Sequence, residues 1–122
     1  MYAGRKLVVK PGTKTAVSAG LASELLRSIG YEVLGASSAS EAATILKKRR
    51  DIAVVFTDIA MPYGISGIEL AGLVRSEYPA VKVILSSGYP LAVLRDEHGS
   101  LGEFTFIHKP YRLADLARAL RA

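Results

Sequence analysis

Ile52-Ala53-Val54-Val55-Phe56-Thr57-Asp58 sets the frame for the residues around it. Its apolar part, rich in β-branched and aromatic side chains, predicts a strand over Ile52–Phe56. No polar residue alternates within that run, so both faces of the strand must be covered, as happens in parallel sheets. A hydroxyl and a carboxylate, Thr57 and Asp58, follow directly. They fall at the carboxyl end of the strand, where open α/β sheets bind their ligands.

The same alternation extends in both directions. Downstream, Ser66-Gly67-Ile68-Glu69 has the S-x-x-E spacing of a capping box and opens a helix through Leu70, Leu73 and Val74 to Tyr78, which Pro79 stops. Val81–Leu85 is a fourth strand, Leu91–Glu97 a short and weakly patterned helix, and Phe104–Ile107 a fifth strand. Leu113, Leu116, Ala117 and Leu120 face the core from a last helix. Upstream, a second S-x-x-E box at Ser38–Glu41 precedes Ala42, Ala43, Ile45 and Leu46, and Tyr31–Ala36 reads as a strand. Val17, Leu21, Leu25 and Ile29 recur every four residues, which predicts one helix from Thr15 to Ile29, interrupted at Gly20 and closed by Gly30. Lys6-Leu7-Val8-Val9 then supplies the first strand. Strand and helix in regular alternation predict a single α/β domain over 1–122, an open five-stranded parallel sheet with helices on both faces.

Composition narrows the function. There is no cysteine among the 122 residues, which excludes disulfides, zinc thiolates and cysteine nucleophiles. No apolar run approaches the roughly 18 residues of a membrane span, and the N-terminus has no signal-peptide pattern. A cytoplasmic protein is the expectation. The net charge of +5 raises the question of nucleic acid. Its densest source, Lys47-Lys48-Arg49-Arg50, closes a helix, where cations complement the dipole. No aromatic interleaving or DNA-binding motif accompanies it, so nucleic-acid binding is not expected.

The residues after the strands collect chemistry at one edge: Lys10-Pro11, Thr57-Asp58, Ser86-Ser87-Gly88 and His108-Lys109-Pro110. Val54 to Pro62 with Gly64 to Leu70, Val83 to Tyr89, and Ile107 to Tyr111 resemble, in order and spacing, the motifs of two-component response-regulator receiver domains. The resemblance covers essentially the whole chain. Met61-Pro62-Tyr63-Gly64 and Ser87-Gly88-Tyr89 are most similar to receivers attached to hybrid histidine kinases. The resemblance implies the flavodoxin-like strand order 2-1-3-4-5. It makes Asp58 the phosphoacceptor, Ser86 and Lys109 the partners of phosphoryl oxygens, Phe106 the switching aromatic, and the Ala60 carbonyl a metal ligand. Pro110 would follow a cis peptide.

One departure decides the functional expectation. Receivers of the ordinary kind follow strand one with two acidic residues, and here Lys10 and Pro11 are read at those positions. Magnesium wants hard oxygen ligands in near-octahedral geometry, so a bound metal is not expected beyond weak Mg²⁺ held by Asp58 and the Ala60 carbonyl. Lys10 is instead expected either to pair with Asp58 or to point to solvent. The resulting expectation is an atypical, non-enzymatic receiver acting as an interaction module in a phosphorelay. Its partners would be a histidine kinase, a phosphotransfer domain, another receiver or a second copy, met through residues 91–122. The alternative is a working phosphoacceptor at Asp58. A flavin- or nucleotide-binding protein ranks lower, because Lys10 to Thr15 lacks full P-loop spacing.

Overall fold

The computed structural model describes residues 14–19, 23–59, 66–88 and 104–121. Five strands, β1 (Thr15–Ala19), β2 (Glu32–Ala36), β3 (Ile52–Asp58), β4 (Lys82–Ser87) and β5 (Thr105–His108), form one parallel sheet in the order β2-β1-β3-β4-β5. The described helices are α1 (Ser23–Ser28), α2 (Ala39–Lys48), α3 (Gly67–Glu77) and α4 (Leu113–Arg121).

Two cores sandwich the sheet. On one face Val17, Leu34, Val55 and Leu85 meet Ala42 and Leu46 of α2 and Leu70 and Val74 of α3. On the other, Ala16, Val54, Phe56 and Ile84 meet Leu26 of α1 and Leu116 of α4. This two-sided cover accounts for the unbroken apolar run of β3. Ser66 caps α3 with a complete box, its hydroxyl accepting from the Glu69 amide and the Glu69 carboxylate accepting from the Ser66 amide. At α2 only half the box forms. Ser38 accepts from the Glu41 amide, while the Glu41 carboxylate turns back to the amide and hydroxyl of Ser37. Gly30, at φ 99°, ends α1 with the two bonds of a Schellman motif: its N–H to the Arg27 carbonyl and that of Tyr31 to the Leu26 carbonyl.

The beginning of the chain corrects the sequence reading. The first strand of the sheet is Thr15–Ala19, inside what the four-residue spacing reads as a helix. Among the described residues of that segment, Ser23–Ser28 alone is α-helical. Thr15, Ala16, Val17 and Ser18 are all buried. A strand hidden on both faces has no two-residue alternation to separate it from a helix. Val17 therefore joined the period of Leu25 and Ile29 without sharing their element. Lys6–Val9 and Leu91–Glu97 lie outside the described residues.

Candidate functional site

Asp58 is the last residue of β3, and its neighbours on the ladder fix where it sits. In register, Asp58 lies beside Ser86 of β4, and Ser87 of β4 lies beside His108 of β5. The Ile59 amide donates to the Ser86 carbonyl at 2.9 Å, and the Lys109 amide donates to the Ser87 carbonyl at 2.8 Å. β4 thus carries both flanks of the site.

The side chains converge on the carboxylate. The Ser86 hydroxyl, fully buried, donates to Asp58 Oδ1. The Lys109 ammonium lies 3.1 Å from Asp58 Oδ2. The Asp58 side chain is 16% exposed and that of Lys109 41%, so the pair sits at the rim of the sheet rather than in its core. The Lys109–Pro110 peptide is cis. Thr57, also fully buried, uses its hydroxyl on the Asp58 carbonyl at 3.0 Å. The contacts of Ser86 and Lys109 with the carboxylate are charge-assisted, the strong members of a hydrogen-bond network.

α3 starts against the same residue. The Gly67 N–H donates to the Ile59 carbonyl at 3.0 Å. A Cβ on Gly67 would press on the Asp58 carbonyl oxygen and lie 2.8 Å from its carbonyl carbon. Glycine is required here by the approach of two backbones.

β1 brings something other than the expected residues. Ala19 lies beside Thr57, one rung before Asp58, so the carboxyl end of β1 offers Ser18 and Ala19, followed in sequence by Gly20. Lys10 and Pro11 come before β1, not after it, and their assignment to that end is thereby corrected. Both lie outside the described residues, as does Ala60. In the sequence, no acidic side chain occurs between Lys14 and Ser23. The Ser18 hydroxyl is buried without a hydrogen-bond partner among the described residues. Nothing in the sequence singles it out, because the four-residue spacing places it inside a helix.

The remaining candidates lie around the rim. Phe106 is partly buried and meets His108 edge-on, with ring centroids 4.9 Å apart. Tyr111 packs on Phe56 at 5.8 Å. Burial lifts its phenol above the ordinary value, and the Asp58 carboxylate lifts it further. Among the described residues no group of three or more His, Cys, Asp or Glu side chains is placed to hold a metal ion. No helix among them is long and apolar enough to cross a membrane.

A family model for the response regulator receiver domain matches residues 15–121, beginning at the first residue of β1. The chain belongs to the receiver domain family. It is 33% identical over 91 residues to the response regulator protein FleR of Pseudomonas aeruginosa, covering 75% of this chain and 18% of FleR. It is 31% identical over 97 residues to the sensor kinase CckA of Brucella abortus, covering 79% of this chain and 10% of that protein. The receiver thus spans less than a fifth of either relative. A response regulator receiver domain protein from Clostridium thermocellum superimposes with a TM-score of 0.71 at 29% identity, over 89% of this chain and 91% of that one. Receiver domains serve two-component signalling, where they meet histidine kinases or other two-component proteins.

Proposed function

We propose that this receiver works chiefly as a protein-interaction module of a phosphorelay, with Asp58 held by protein groups in place of a metal. The observation that carries the reading is the pairing of Asp58. One carboxylate oxygen accepts from Ser86 and the other faces Lys109, while β1 ends in Ser18 and Ala19. Magnesium requires several hard oxygen ligands in near-octahedral order. A single carboxylate, already facing an ammonium group, is a poor set for it, and the residues present do not fit the ion. Phosphoryl transfer rests on positioning and charge neutralisation, much of it supplied by the metal. Efficient turnover at Asp58 is therefore not part of this reading, and neither is an enzymatic activity of the domain's own.

The contact face would be β5 with α4. A cleft of about 470 Å³ there is lined by Phe106, His108, Pro110, Asp115 and Arg118. Leu113, 39% exposed, stands out among the described large apolar side chains. A histidine kinase, a phosphotransfer domain or another receiver in the cytoplasm is the partner we assign to it.

A second reading, a phosphoacceptor that tolerates the missing acids, is favoured by the intact grouping of Asp58, Ser86 and Lys109. Magnesium titration with and without beryllofluoride, followed by amide chemical shifts, separates the two. The first reading expects no saturable shift at Asp58, Ser86 or Lys109 with millimolar metal. Saturable shifts there, together with an acyl phosphate on Asp58 after incubation with a phosphodonor, would establish the second.

A further inference from the structure

The end of the sheet opposite Asp58 carries a feature that neither reading uses. A cleft of about 390 Å³ opens where α2 runs out and α3 turns into β4, between Leu46, Lys47, Arg50, Ile52, Tyr78 and Val81. Ile52 is the first residue of β3 and Asp58 the last. At roughly 3.3 Å per residue the cleft lies about 20 Å from the carboxylate. It falls within the general size range of ligand pockets, about 300–1,000 Å³.

Its walls differ in chemistry. Leu46 and Ile52 belong to the buried core, and Tyr78 and Val81 pack against that core, so an apolar floor comes to the surface here. Arg49 forms a wall whose charge is met by Asp51 and Glu32, with guanidinium-to-carboxylate distances of 2.5 and 3.4 Å. Lys47 and Arg50 line the cleft, are largely exposed at residue level and only partly so at Arg49 between them, and have no ion pair among the described residues. Two uncompensated cations over an apolar depression define a partner with the opposite pattern.

We infer that this cleft is a docking site for an acidic peptide segment of a protein partner, one apolar side chain seated on the floor and carboxylates facing Lys47 and Arg50. Charge complementarity commits the site to that occupant. A nucleic-acid backbone is matched by a groove of cations tracking successive phosphates with aromatic platforms for the bases. Here Lys47, Arg50 and the ion-paired Arg49 surround a depression that holds the single aromatic ring of Tyr78. The site is independent of Asp58 and of the face formed by β5 and α4.

The probe is a fluorescein-labelled peptide, Glu-Asp-Leu-Phe-Asp-Glu, titrated with the whole chain and followed by polarisation and by amide shifts. Saturable binding is expected, with shifts at Leu46, Ile52, Tyr78 and Ala80 and an affinity that falls as salt is raised. The double variant Lys47→Glu/Arg50→Glu should bind about tenfold more weakly. The control Arg27→Glu/Arg121→Glu makes the same change in net charge on exposed sites elsewhere and should bind as the wild type does. Equal binding by both variants would overturn the inference, as would shifts confined to other faces or an absence of saturable binding. A single-stranded oligothymidine that binds more tightly than the peptide and displaces it would make the surface a nucleic-acid patch instead.

Discussion

Replacing Gly67 by alanine tests how tightly α3 is set against the residue that carries the Asp58 carboxylate. The added Cβ would lie 2.8 Å from the Asp58 carbonyl carbon and 3.0 Å from the Ile59 Cα, and closer still to the Asp58 oxygen. Every one of these is a backbone atom, so no side chain can swing aside. Ordinary carbon contacts begin near 3.5 Å, so α3 and the end of β3 must part by at least about 0.7 Å. That movement stretches the 3.0 Å bond from the Gly67 N–H to the Ile59 carbonyl. Overpacking costs about 1–3 kcal/mol, and a weakened hydrogen bond adds about 1 kcal/mol. The gain in helix propensity on replacing glycine recovers part of this, at most about 1 kcal/mol. The expected net loss is about 2–3 kcal/mol, which lowers the urea midpoint by roughly 1–2 M for a domain of this size. Gly72→Ala is the internal control, because a Cβ there meets nothing within 4 Å in the middle of the same helix. It should raise stability by up to about 1 kcal/mol. Urea unfolding followed by circular dichroism reads both. A Gly67→Ala midpoint equal to that of the wild type would refute the close approach and the setting of α3 derived from it.

Removing the N-cap with Ser66→Ala should cost about 1 kcal/mol in the same assay, since the hydroxyl serves the Glu69 amide. Arg49→Ala should cost about 1–3 kcal/mol, because it strands Glu32, whose side chain is only 12% exposed; Asp51→Ala, at an exposed carboxylate, should cost less than about 1 kcal/mol. Lys109→Ala should lower stability by about 0.5–1 kcal/mol, in a manner weakened by salt, and should speed hydrogen exchange at Ile59. Tyr111 gives a pH signature. Its phenol is raised in the fold, so the unfolded chain ionises first and stability falls as pH climbs from about 10 toward the folded value. Tyr111→Phe should remove that part of the alkaline decline, measured as unfolding midpoints across the range.

The sequence was most readable where one side chain had one task. The Ser66 and Glu69 spacing announced the start of α3, Pro79 its end, and the apolar run of Ile52 to Phe56 the central strand. The order of Asp58, Ser86 and Lys109 along three strand ends predicts that their side chains meet, and Ser86 and Lys109 do reach the Asp58 carboxylate. β1 escaped because its residues answer to two faces at once. Thr15, Ala16, Val17 and Ser18 are small and all buried, a pattern in which strand and helix look alike. Lys6–Val9, more apolar, offered itself in its place. The error placed the end of the first strand at Lys10 and Pro11, whereas β1 ends at Ala19, and no carboxylate occurs in the sequence between Lys14 and Ser23. Gly67 was visible only as part of a cap. Its contact with Asp58 depends on the packing of two backbones that no local pattern encodes.

The two hydrogen bonds that the Ile59 and Lys109 amides donate to consecutive carbonyls of β4 make the ion pair a gauge. Ser86 anchors the backbone beside Asp58 and Ser87 anchors Lys109, so the jaws of the measuring instrument share one spine. Neither hydrogen bond involves a helix, so the spine itself is built from strands alone. Splaying β4 from β3 or from β5 parts the backbones that carry the carboxylate and the ammonium group. A spectroscopic label sensitive to the Lys109 ammonium would therefore report on the opening of the sheet at β4.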